Sequence, residues 1–144
     1  MKTRFSSLVT IKKSTMQKSE RALQSANADL NNAAIALELS INALNDVDSP
    51  KSGVMSGFLA SRALLDSSRE LIKHNQEWVS FTKNQVHLAQ NQLKKDTIEY
   101  EKFNYLELEE MKKIIKKQKQ QEAKDLDEVA LLMHARKMKA EVIV

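Results

Sequence analysis

Apolar residues in the first third of the chain recur every seven positions, at Val9, Met16, Leu23, Leu30, Leu37 and Leu44. Three positions beyond several of these stand Ser19, Ala26, Ala33 and Ser40, which gives a heptad seam with one large row and one small row. After an interruption the same interval returns in Phe58, Leu65, Ile72, Val79, Val86, Leu93 and Tyr100, again followed at three positions by small or polar residues, Ser61, Ser68, Asn75, Thr82 and Ala89. Pro50, Gly53 and Gly57, the helix breakers of the chain, all fall between the two seams. Two heptad stretches around one loop predict helices over about 4–45 and about 58–140, joined by a turn at about 46–57. The expected fold is an all-α, antiparallel two-helix coiled-coil hairpin with a longer C-terminal helix, forming a single elongated domain over 1–144.

A turn centred near Lys51 pairs Leu44 with Phe58, Leu37 with Leu65, Leu30 with Ile72, Leu23 with Val79, Met16 with Val86 and Val9 with Leu93. In that register Leu44 and Phe58 close the hairpin, and the small rows let the two backbones approach. Everything after about Glu101 is then left without an intramolecular partner. The seam also weakens there, because Phe103, Leu106, Met111, Ile114 and Ile115 give way to the polar run Lys116-Lys117-Gln118-Lys119-Gln120-Gln121-Glu122. Apolar spacing resumes at Leu126, Val129, Ala130, Leu132 and Met133. Asp125, Asp127 and Glu128 precede them and Arg136, Lys137 and Lys139 follow, the charge order that a helix dipole favours. This reads as a terminal helical segment that contacts something.

Composition agrees with the pattern. Ala, Glu, Lys, Leu and Arg fill 66 of the 144 positions, and only two Gly and one Pro are available for turns, too few for sheets, sandwiches or nucleotide-binding α/β units. The absence of cysteine excludes disulfides, thiolate catalysis and Cys-ligated zinc, and fits a reducing cytosol. Lys12 and Lys13 interrupt the early apolar stretch, so no export signal is expected. No run of 18 apolar residues offers a membrane span, so membrane contact is expected through partners only. The net charge of +4 arises from intermixed basic and acidic residues, a pattern that favours solubility over a nucleic-acid partner.

Candidate chemistry is sparse. His74, His87 and His134 are far apart, and His74 with Glu70 and Glu77 is the nearest approach to a metal constellation; a solvated histidine explains it better. The paired Glu-x-x-His motifs of di-iron bundles are missing, since Leu71 and Asn84 stand three residues before His74 and His87. No Gly-rich phosphate loop occurs. The lysines at 112–119 follow Glu107, Glu109 and Glu110 at helical spacing and read as a solvated charged face. No catalytic, cofactor or metal site is expected, and the chain is read as a non-enzyme.

The second helix carries more apolar residues than one seam needs. Leu64, Leu71 and Trp78 form a further heptad row, with Phe81 and Leu88 farther around the helix. Leu64 and Leu71 could broaden the core stripe. Trp78, Phe81 and Leu88 have no third layer to cover them, and an exposed apolar strip marks a protein interface or self-association.

The basic start with Phe5, the heptad helix, the Gly-containing turn near residue 53 and the longer second helix together resemble the flagellar type III export stalk proteins, the FliJ family. The closest local similarity is the segment Gly57-Phe58-Leu59-Ala60-Ser61-Arg62-Ala63-Leu64-Leu65-Asp66-Ser67-Ser68-Arg69-Glu70-Leu71-Ile72-Lys73-His74. The resemblance implies a gate-contacting row at Leu64, Ser68, Leu71 and Asn75 with His74 beside it, and Trp78 one row on could compensate for the serine at 68. Together with Phe81 these residues form the expected partner-binding set. The resemblance further implies three partners: a hexameric export ATPase ring that receives the paired termini, the cytoplasmic part of the membrane export gate, and free export chaperones. The expected role is a non-enzymatic coupling rod in the cytoplasm, peripherally attached to the inner-membrane export apparatus. The rival readings are a chaperone or scaffold that protects a partner, and a structural coiled coil that assembles with itself.

Overall fold

A computed structural model describes residues 2–47 and 52–143 of the chain. These residues form two helices, α1 over Ser6–Asn45 and α2 over Met55–Ile143, and among the described residues there is no strand. The chain is therefore the expected all-α hairpin of two long helices packed against each other. Its contacts divide it into two compact units, Met1–Lys12 with Glu99–Val144, and Lys13–Ile98.

In the unit Lys13–Ile98, the two helices run antiparallel, but the register differs from the one expected. The Asn75 side-chain amide donates to the Ala36 carbonyl at 3.3 Å, where the expected pairing puts Asp66 opposite Ala36. The Ser19 hydroxyl donates to the Asp96 carboxylate, where the expected pairing puts Lys83. Each contact moves α2 by roughly three helical turns relative to α1.

The reason lies in the two rows. The expected register set large residues against large and small against small, giving alternately crowded and empty layers. The observed register brings Leu37 level with Asn75, and Leu30 and Leu23 level with Thr82 and Ala89. Likewise Ser40, Ala33 and Ala26 come level with Ile72, Val79 and Val86. Every layer then holds one large and one small side chain, and the interior fills at uniform density. Burial follows this arrangement. Among the described residues the buried ones are Ser19, Ala33, Ser40, Thr82 and Val86, four of which belong to the small rows. Two of the three buried hydroxyls are satisfied on their own helices, Ser40 by the Leu37 carbonyl at 2.7 Å and Thr82 by the carbonyls of Trp78 and Val79, both at 3.0 Å, while Ser19 donates across to Asp96.

The shift also corrects the closed end of the hairpin. α1 stops at Asn45, level with about residue 67 of α2, so residues 55–60 have no α1 opposite them and all are exposed. Phe58 is 41% exposed and does not close the hairpin with Leu44. Of the expected breakers, Pro50 lies outside the described residues, as does Lys51. Gly53 has φ near 140°, a conformation that side chains resist, two residues before α2 begins.

In the unit Met1–Lys12 with Glu99–Val144, α1 opens on a reciprocal cap. The Thr3 backbone N–H donates to the Ser6 hydroxyl at 2.8 Å, while the Thr3 hydroxyl accepts from the Phe5 N–H at 3.2 Å. Ser6 in turn donates to Glu107 at 2.7 Å. Arg4 pairs with Glu110 at 3.6 Å, and Lys12 pairs with Glu99 at 3.8 Å while its ammonium lies 5.5 Å from the Phe103 ring centre. Pairing therefore continues to Glu110, rather than stopping near Glu101, because the register shift supplies α1 partners for another two to three turns. Beyond it, every described residue over 115–142 is exposed.

This register can be tested in solution. With cysteines introduced at positions 40 and 72 of the cysteine-free chain, a short thiol cross-linker is expected to join them within one chain at high yield. The pair at 37 and 65 is expected to react several-fold more slowly. The reverse order, read by mass spectrometry of proteolytic fragments, would restore the register centred on the turn.

Candidate partner-binding surface

Seven residues advance a helix by almost two full turns, so Leu64, Leu71 and Trp78 lie one above another along α2, and Phe81 and Leu88 form the next row. All five are about half exposed, unlike the seam residues Leu65, Ile72 and Val79 beside them. The Trp78 and Phe81 rings stack with centroids 5.6 Å apart and planes inclined by 26°. Stacking restricts both rings before any partner arrives, which lowers the side-chain entropy lost on binding. His74, Glu77, Trp78 and Phe81 line a shallow hollow, in which the imidazole and carboxylate border the two rings.

Phe81 also forms the wall of a longer groove between the helices. Its floor and α1 side are Ala22, Ser25, Ala26 and Asp29, and its α2 side includes Gln85 and Leu88. Heptad steps from these residues reach Ala36 and Ala43 from Ala22 and Asp29, Leu39 from Ser25, and Trp78, Leu71 and Leu64 from Gln85, of which Leu64 lies past the end of α1. The result is a small-residue floor edged by large apolar side chains, a shape suited to a third helix presenting an apolar stripe. Leu39, 63% exposed two heptad steps along α1 from Ser25, is a further apolar residue that the sequence reading missed. Its signal was its place on the heptad row of Ser25, one row off the seam.

The expected site residues fall into two groups. Leu64, Leu71, His74, Trp78 and Phe81 are exposed on α2. Ser68 and Asn75 are half buried in the small row that faces α1, and Asn75 spends its amide on the Ala36 carbonyl. Asn75 thus ties α2 to α1 beneath the strip. Chemistry of another kind has little to work with: among the described residues no group of three or more His, Asp or Glu could hold a metal ion, and no helix is long and apolar enough to cross a membrane.

Residues 1–139 match the family described as flagellar FliJ protein, nearly the whole chain. No curated protein and no solved structure matches it.

Proposed function

The chain belongs to the flagellar FliJ family, with a role connected to flagellar export, and on that premise we propose that it is a non-enzymatic coupling element of the export apparatus. In this reading it works in the cytoplasm. It links the hexameric export ATPase to the cytoplasmic part of the membrane export gate and escorts export chaperones. The exposed strip Leu64, Leu71, Trp78 and Phe81 carries the reading, because a helical pair that needs only one seam keeps a second apolar row facing solvent. The gate docks there by laying a helix into the groove, with His74 at the margin. Ser68 and Asn75 take part by fixing α1 against the docking helix.

In this reading stiffness does the work, because the backbone hydrogen bonds are internal to each helix. A ring of identical subunits can then be addressed in turn by one asymmetric element. The deciding experiment adds substoichiometric amounts of this protein to the export ATPase and follows hydrolysis. Stimulation severalfold at about one chain per six ATPase subunits is expected. If hydrolysis is unchanged while free export chaperones still bind, the protein is a chaperone scaffold rather than a coupling element.

A further inference from the structure

The last quarter of α2 has an apolar stripe with no other described residue over it. Leu126, Val129, Leu132 and Met133 are between 49% and 69% exposed, in a segment where every described residue over 115–142 is exposed. The charges around the stripe are ordered. Asp125, Asp127 and Glu128 occupy its N-terminal side, and Arg136, Lys137 and Lys139 its C-terminal side.

We propose that residues 122–142 pair antiparallel with the same segment of a second copy of this chain, about a two-fold axis near Leu132. Antiparallel seams set the first seam position of one helix against the second of the other, as α1 and α2 already do. With Leu126 and Met133 as first positions and Val129 and Arg136 as second, Val129 meets the partner's Met133, and Leu126 meets the aliphatic stem of the partner's Arg136. Each contact occurs twice because a two-fold interface uses the same surface on both copies. Leu132 lies against the partner's Leu132 on the axis.

Charge selects this arrangement over its alternative. In the antiparallel pair Asp125 flanks the partner's Arg136 and Lys139, and the reciprocal contact doubles it. A parallel pair would instead set Arg136 against the partner's Arg136 inside the seam and would leave Asp125 beside Ala130, without a basic neighbour. The available length also fits. Contacts with the N-terminal segment reach Glu110, Ile114 is the last partly covered residue, and the polar run at 116–121 separates that point from the proposed seam, so in the free chain no described residue lies over it.

The chain contains no cysteine, which makes cross-linking clean. Full-length protein in low salt is expected to change from monomer to dimer in sedimentation between about 1 µM and about 500 µM, with added salt shifting the change to higher concentration. Oxidised Leu132→Cys should couple to itself. Asp125→Cys mixed with Lys139→Cys should give mixed dimers at least fivefold faster than either variant alone. A chain carrying Asp125→Lys, Asp127→Lys and Glu128→Lys should self-associate at least tenfold more weakly. Mixing it with Arg136→Glu, Lys137→Glu, Lys139→Glu chains should restore dimers, a rescue that loss of helix could not produce.

Three results would overturn the proposal. The first is a wild-type monomer over the whole range. The second is Asp125→Cys coupling to itself as fast as to Lys139→Cys, which is a parallel pair. The third is dimerisation that the charge swap leaves intact, which places the contact elsewhere on the chain.

Discussion

Replacing Trp78 and Phe81 together by Ala is expected to weaken binding to the cytoplasmic part of the export gate by about 30-fold or more, while the thermal midpoint moves by no more than about 2 °C. The two quantities separate because the rings do different work in the two states. In the free chain both are about half exposed and lean on each other, so truncation removes little that folding had covered. In a complex with a helix in the groove they would be the large anchors of an otherwise small-floored surface, and anchors of that kind carry most of an interface's affinity. A loss of about 2 kcal/mol corresponds to the stated factor. Titration calorimetry with a gate fragment, beside circular dichroism melting of the same samples, reads both. Should the double variant lose helicity, the rings belong to the core; should it bind as wild type, the gate docks elsewhere.

Ala33→Leu is expected to give the largest change in stability, about 1–3 kcal/mol, lowering the midpoint by several degrees. Ala33 is 1% exposed, in the row that comes level with Val79, so three added carbons have no room unless the helices separate. Ala28→Leu is the matched control, since Ala28 is exposed on the same helix and its larger replacement meets solvent. Near-equal melting of the two variants would mean that the small row does not set the distance between α1 and α2.

The helices themselves were plain in the sequence, because two uninterrupted heptad stretches with all the Gly and Pro between them leave few other solutions. The register was not. A strict seven-residue repeat fits itself equally well after any shift by whole layers, so Leu37 matches Leu65 and Asn75 in spacing alike. What distinguishes them is the alternation of large with small, together with polar bonds such as Asn75 to Ala36 and Ser6 to Glu107. Those partners are too far apart in the chain for local pattern to pair them.

The candidate surface was legible for a related reason. Trp78 and Phe81 stood out because they exceeded what one seam requires, and a residue without an interior to occupy shows in the pattern itself. Ser68 and Asn75 could not be sorted in this way, since small polar residues suit both a seam floor and a surface. Leu39 gave no such signal, because Lys18, Ser25 and Asn32 separate it from Ile11, the other large apolar residue of its heptad row.

α2 passes from its paired part to the stretch beyond Glu110 without a break. A helix of some thirty residues standing alone in water must first form a costly initial turn, in which several dihedral angles are fixed for a single hydrogen bond. Here that step is already complete, because the turns packed on α1 serve as the nucleus and each later residue adds only a propagation step near balance. The stretch is consequently helical by extension and shortens from the side away from α1 one turn at a time, so its effective length follows temperature and bound partners smoothly while the paired helices beneath it stay intact.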